Sequence, residues 1–451
     1  MNISILKICF IILPGLTFTN AISQKSQAYE MMVDGVKVIV QPSNNEIVQI
    51  QTVFKGGVQN YPMSKAGIEN LAIKALTECG TENDDKNSFK NKLDKVSGAI
   101  YGNTMMDFST LSLNCIGEDL NTIWPLYVDA LTKPKFDETE FKRIRQNAIN
   151  SIKEMQSQLD YSTRLLARQT AFAGMNYAKN PMGDEASVTA LTTAETNKFY
   201  RGILTRSRIF IVVVADIEKA EIEQKIHDLL SSIPEGKAMI LKKEAFNPKS
   251  NTFKGVKRAL ATNYIQAVAS APAPGSKDFD AFNLAMEIFY NRHFLEVRTN
   301  NGLSYAPSAY FDGGLTPSAN ISVSTINPNK YIQVLNKLIE NTKKGFTVEE
   351  VKNVKTVYIT SQAYKQETNY EQAYSLASNE VVHNNWKRAI TLNEDLKNIS
   401  VNDVTMAFNK YLTNFSWVYQ GDNTKVNASL FTKSLKSKKL PKATFSEKKL
   451  N

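Results

Sequence analysis

FDETEFKRIRQNAINS, residues 136–151, and FTVEEVKNVKTVYITS, residues 346–361, decide the architecture of this chain. Each opens on Phe, enters a helix through acidic residues, where the positive end of the helix dipole favours them, and continues amphipathically. Outward from the first copy the order is a strand at 36–40 between the Asp34-Gly35 turn and Pro42, a strand at 47–54 and a helix at 66–78 stopped by Gly80. A short helix at 89–96, strands at 99–106 and 110–116, and a helix at 120–131 follow. The copy itself begins a long helix at 137–158. The apolar run RIFIVVVA at 208–215 reads as a strand buried on both faces, and a helix at 217–230 closes the half. The same order returns around the second copy: strand 263–270, helix 279–297, strands 304–310 and 319–325, helix 331–342, long helix 347–366. A repeat of this length predicts two copies of one α+β domain, each an antiparallel sheet with helices packed on one side. The expected limits are 28–232 and 257–430, joined by a polar linker at 233–256 that contains Pro248, Ser250 and Asn251.

Length and composition agree with this division. At 451 residues the chain exceeds what one hydrophobic core usually supports, and 42% hydrophobic with 22% charged residues is ordinary for a globular protein. Residues 1–21 read as a secretory signal peptide: a short start with one Lys, an apolar run too short to span a bilayer, and a small residue, Ala21. No later stretch is long and apolar enough to span, so the expected product is exported, periplasmic or secreted, and soluble. Removal of Cys9 leaves Cys79 and Cys115. An oxidising compartment permits their pairing, and two buried free thiols are the other reading.

The formal net charge is +10, partly local to the Lys-dense stretch from Lys433 to Lys449 within the expected basic tail, 431–451. No basic patch interleaved with aromatics accompanies it, so nucleic acid is not an expected partner. His227, His293 and His383 lie far apart and suggest surface or packing roles. No G-x-S-x-G, no supported S-x-x-K and no Cys beside a His appears in a convincing context.

Four strings carry a resemblance: GGVQNYPMSKAGIENLAIKALTECGT (56–81), FDETEFKRIRQNAINSI (136–152), RIFIVVVADI (208–217) and RHFLEVRTNNGLSYAPSAYF (292–311). Together they resemble the M16, or pitrilysin-type, zinc peptidases over nearly the whole chain beyond residue 21. Active members carry H-x-x-E-H on the helix after the first strands. Two His four apart share one helix face and bind zinc, the Glu acts on the bound water, and a second Glu comes from the long helix. Threaded from Gly67, the pattern places Asn70 and Lys74 at the His positions and Ile73 at the Glu. Anchoring on Gly80 and Thr81 gives Leu71, Lys74 and Ala75 instead. The second Glu falls at Ser151, between Asn150 and Ile152. None of these supplies a zinc ligand set, and Glu69 and Glu78 without His fit neither spacing nor geometry.

The second half differs. Arg298 and Tyr305, seven apart in RTNNGLSY, match the family's Arg/Tyr pair. The resemblance implies that this pair reaches across a closed chamber, with the Tyr hydroxyl donating to a developing oxyanion. Read without the resemblance, Arg298 caps a helix and Tyr305 is a core aromatic. The resemblance therefore implies a zinc-less subunit that pairs with a zinc-containing M16 homologue and holds unfolded peptide. On this reading the chain has no cofactor of its own, with the zinc in the partner. Strand addition is the expected mode of peptide binding, with Phe54, Gly56 and Gly57 as the candidate edge. A peptide-binding or structural scaffold with no catalytic role is the alternative, and a self-sufficient peptidase with an unrecognised site is a third.

Overall fold

The computed structural model describes residues 27–433. The expected signal peptide, Cys9 and the tail from residue 434 onward lie outside the described residues.

The first half begins with β1 (Tyr29–Val33) and β2 (Val36–Pro42), an antiparallel hairpin across Asp34 and Gly35, both at positive φ. Then come β3 (Ile47–Lys55), α1 (Ile68–Glu78), α2 (Lys86–Asp94), β4 (Ala99–Thr104), β5 (Phe108–Ile116), α3 (Leu120–Thr132) and α4 (Glu138–Ser157). Asp137 caps α4 by accepting from the Thr139 and Glu140 amides, which satisfies donors that an uncapped first turn leaves free. The half continues through α5 (Leu159–Ala171), α6 (Glu185–Thr189), α7 (Thr193–Ile203), β6 (Ile209–Ala215) and α8 (Lys219–Leu230).

The second half consists of β7 (Thr252–Lys257), β8 (Asn263–Ala269), α9 (Phe279–Phe294), β9 (Ser308–Asp312), β10 (Ser318–Thr325), α10 (Pro328–Thr342), α11 (Val348–Tyr364), α12 (Asn369–His383), α13 (Arg388–Lys397), α14 (Val401–Tyr411), β11 (Phe415–Gly421) and the short α15 (Ser429–Thr432).

The duplication is visible in the pairing. The first sheet runs β1-β2-β6-β3-β5-β4 and the second β7-β11-β8-β10-β9. Removing β1 makes the two orders superimpose, with the single parallel pairing, β2 with β6 and β7 with β11, in the equivalent place. β7 starts inside the stretch read as linker, because Thr252–Lys257 pairs with β11 along its full length. Earlier in the connection the chain lies against the first half, where Phe246 meets the Phe172 ring at 5.2 Å and Gln59 exchanges two hydrogen bonds with the Lys242 backbone, while Pro248 and Asn251 bond to Asn414 and Phe415 of the second half. Near the end of the second sheet, residues 304–307 stay in a loop, and β9 begins only at Ser308.

Each half's own helices cover one face of its sheet, and the other half covers the opposite face. Ile209, Ile211 and Val213 of β6 join the core of the first half with Leu71, Leu76 and Phe141. Phe210, Val212 and Val214, pointing the other way, form a separate core with Ala373, Leu376, Ala377 and Val381 of α12. Reciprocally, α5 packs on β8 and β11, and Gln420 donates to Thr163 at 2.9 Å and Ser162 at 3.2 Å. The run 208–215 is apolar throughout because both of its faces are dry. Sequence pattern alone assigned nothing to residues 159–203 or 367–421, and both exchanged helices fall there.

Polar contacts fasten the exchange. Asn369, at the start of α12, donates to the carbonyls of Ile47 at 2.6 Å and Val214 at 3.4 Å, and exchanges hydrogen bonds with Asn45. Lys37 pairs with Glu380 at 2.7 Å, and the Trp386 indole donates to Glu30 at 2.6 Å. Asp107, in the turn between β4 and β5, accepts from the Tyr177 hydroxyl at 2.6 Å and from the Leu315 amide of the other half at 3.1 Å.

Candidate functional site

α1 packs on β4 and beside α4, and these are the two helices on which the threading places the ligand positions. Their contents suit packing. Asn70 is buried with no partner for its amide nitrogen. Ile73 is buried against β4, where any Cβ on Gly102 would strike its side chain and backbone carbonyl. Lys74 and Ser151 are half-buried. A cation at this place would face an ammonium and an aliphatic chain instead of imidazoles, and among the described residues no cluster of His, Cys, Asp or Glu could hold a metal.

The two neighbouring carboxylates have other employment. Glu69 is fully buried and accepts from the Ser109 hydroxyl and, at 2.8 Å, from the Asn60 amide. Burial pushes its carboxyl up to about 7 against those hydrogen bonds and the pull of Arg208. Glu78 holds Arg143 at 2.9 Å and Lys90 at 2.8 Å. The three His are dispersed as well. His293 is buried against the Tyr331 hydroxyl and burial pushes it down to about 3, while His383 stands edge-on to Phe279 and is pushed down to about 4, burial leading. His227 bonds Asp34 on the surface. Cys79 and Cys115 are both free and buried, which decides between the two readings of the pair.

Arg298 and Tyr305 do come together. α9 ends in one π-helical turn, Leu295–Asn300, from which the Arg298 guanidinium lies 5.0 Å from the Phe294 ring centre and 4.0 Å from that of Tyr305. Its Nη1 also donates to the Tyr305 carbonyl at 3.0 Å. Tyr305 is 78% exposed, so it is no core aromatic, and its ring is held by a stacked cation. The intervening loop, containing Gly302 at positive φ, lets the chain return to make this contact.

The expected peptide edge is misplaced. β3 is paired on both sides, with β5 and β6, so its backbone has no free ladder to offer. Phe54 is wholly buried, and the Gly56 amide is already bonded to the Asp107 carbonyl, with the residues around Gly57 folded onto Met106. The free edge of this sheet beside α1 is β4, paired with β5 alone. Neither the Ala99–Thr104 pattern nor its length marks it as an edge; sheet order does. A polar cavity of about 570 Å³ between the halves, lined by Asp107, Asp312, Lys365, Tyr374 and His383, was also invisible in the sequence, because its walls come from both halves. Asp107 there is pushed up to about 6, chiefly by burial.

A duplicated α+β shell, with Asn70, Ile73 and Lys74 on α1 and a stacked Arg298/Tyr305 pair after α9, defines a class by its architecture, a two-domain peptidase fold. Residues 37–185 match the insulinase (peptidase family M16) model, and residues 190–358 match the peptidase M16 inactive domain. The chain belongs to the M16 peptidase family, and the positions threaded onto the family's zinc ligands hold Asn70, Ile73, Lys74 and Ser151. It is 20% identical over 363 residues, 76% of this chain and 82% of the other, to the non-peptidase homolog YmxG of Helicobacter pylori. Its fold is similar to that of a peptidase M16 inactive domain from Pseudomonas fluorescens, with a TM-score of 0.78 at 16% identity, covering 88% of this chain and 98% of that one. It is also similar to the periplasmic protease PqqL of Escherichia coli, with a TM-score of 0.74 at 16% identity; the match covers 93% of this chain but 49% of that protein. No helix among the described residues is long and apolar enough to cross a membrane.

Proposed function

We propose that this chain is the zinc-less subunit of an exported, two-chain M16 peptidase. Its partner is a homologue that carries the H-x-x-E-H motif and zinc, and its substrate is unfolded peptide. The observation that carries the reading is the contrast between the two halves: every ligand position on α1 and α4 is lost, while Arg298 and Tyr305 remain stacked and the phenol exposed. The similarity to half of PqqL supports a shell made of two such units. The reading of residues 1–21 as a signal peptide supports export.

In that arrangement the H-x-x-E-H residues of the partner would hold a zinc, which would supply an activated water. Tyr305 donates its hydroxyl proton as a hydrogen bond to the oxygen that gains charge as the peptide carbonyl is attacked. Arg298 fixes the ring and adds positive potential where that charge develops. Extended peptide is held along the free edge of β4, whose backbone donors and acceptors recognise any sequence.

Peptide cleavage, with zinc quantified, tests this for the purified chain alone and mixed with a zinc-motif homologue. Silence alone and zinc-dependent cleavage by the mixture is the expected result. A mixture that assembles but cleaves equally well without this chain would leave a scaffold in its place. Cleavage and bound zinc in the isolated chain would overturn the reading.

A further inference from the structure

β4 ends at Thr104, and Thr104 forms one wall of a cavity of about 240 Å³ that also takes in Met155 of α4 and Tyr161, Arg164 and Arg168 of α5. Met155 lies one helical turn beyond Ser151 and Thr104 two residues beyond Gly102, so the cavity lies on the faces of α4 and β4 that carry those residues. Arg164 and Arg168 are themselves one turn apart on the same face of α5.

Their charges are in different situations. Arg168 donates to the Met106 sulfur at 3.4 Å and pulls down the carboxyl of Asp312, although burial outweighs it there. Arg164 is exposed, and no carboxylate stands within ion-pair distance of it among the described residues, its ring contact being Tyr161 at 5.6 Å. Asp160, one turn earlier on α5, makes no such pair. The end of the open edge is therefore a small cavity with a stacked, uncompensated guanidinium at its mouth. It is too small for a folded partner and large enough for a side chain or chain terminus.

We propose that the peptide held along β4 carries a carboxylate at its Thr104 end, and that Arg164 takes this carboxylate with the field of Arg168 behind it. The inference rests on the reading of β4 as the peptide edge and names the class of peptide that the edge prefers, acidic at one end. A guanidinium offers a carboxylate two parallel donors, and the Tyr161 ring holds it in place.

The test is fluorescence anisotropy of the full chain with labelled extended peptides of one length. One ends in a free C-terminal carboxylate, one is amidated with a Glu near the end, one is amidated and neutral, and a fourth repeats the acidic peptide with alternate backbone nitrogens methylated. An acidic peptide should bind more tightly than the neutral one by about 2- to 5-fold at low salt, the range of exposed ion pairs. R164Q should abolish that ratio with no change for the neutral peptide, and R164E should reverse it toward a Lys-ended peptide. Whichever acidic peptide shows the effect identifies terminus or side chain as the source. Equal binding of acidic and neutral peptides to wild type and R164Q overturns the carboxylate inference but leaves the edge standing. Undiminished binding of the methylated peptide, or no binding of any peptide, removes the edge reading itself.

Discussion

The guanidinium of Arg298 lies 4.0 Å from the centre of the Tyr305 ring while donating to the carbonyl of the same tyrosine at 3.0 Å. One side chain thus fixes both the ring and the backbone of a residue that is otherwise in solvent. Tyr305→Phe keeps both contacts and deletes only the hydroxyl. In the reconstituted pair it should lower kcat by about two orders of magnitude, as loss of one oxyanion donor does, and should leave assembly and melting temperature as they were. Arg298→Ala should reduce cleavage too, and should increase the proteolytic sensitivity of the 301–307 loop. Full activity of both variants with the correct partner would remove the pair from the mechanism.

Asn369 ties the exchanged helix α12 to two strands of the other half. Asn369→Ala leaves the buried Val214 carbonyl and the part-buried Ile47 carbonyl short of a donor, and should cost about 2 kcal/mol in urea denaturation. Because each half's helix covers the other's sheet, the transition should stay single. Residues 27–250 expressed alone should expose Phe210, Val212 and Val214 and bind a hydrophobic dye. A soluble, dye-silent fragment would contradict the reciprocal core.

Glu69 gives a pH dependence with a definite sign. Its folded carboxyl is raised to about 7 by burial, above an ordinary value near 4.5. Its contribution to stability is therefore complete below about pH 4.5 and lost as pH rises through about 7. Relative to wild type, Glu69→Gln should gain on the order of 3 kcal/mol between pH 4.5 and pH 8. Asp107, raised to about 6, acts in the same direction, whereas His293 and His383, buried and pushed down, act oppositely below about pH 6.5. The difference between variant and wild type isolates Glu69; a pH-independent difference would show that its carboxyl is not raised.

Cys79 and Cys115 are buried, and burial leads in pushing their thiols up to about 12 and about 11. Neither thiolate forms near neutral pH, so a thiol reagent at pH 8 should modify neither in the native chain and both in urea. Rapid native labelling, or a mass two hydrogens short, would oppose this.

The duplication was legible in 136–151 and 346–361 because helical periodicity and N-terminal acidic residues are local properties. The residues at the threaded positions, Asn70, Ile73, Lys74 and Ser151, and the Arg298 and Tyr305 spacing are likewise matters of side-chain identity. The run 208–215 announced that both of its faces are buried. It could not say that α12 of the other half covers one of them, since periodicity reports that a face is dry and not what dries it. α12 carries a helical stripe, Ala373, Leu376, Ala377 and Val381, but half of it is alanine and nothing in it names the sheet it packs on. The edge was misplaced for a related reason. Phe54, Gly56 and Gly57 look like a strand running into a turn, and only the order β6-β3-β5-β4 puts that strand in the middle and leaves β4 open. Chain identity set which side chains stand at 70, 73, 74, 151, 298 and 305; long-range pairing decided which surfaces remain free, because a strand becomes an edge only by what lies beside it.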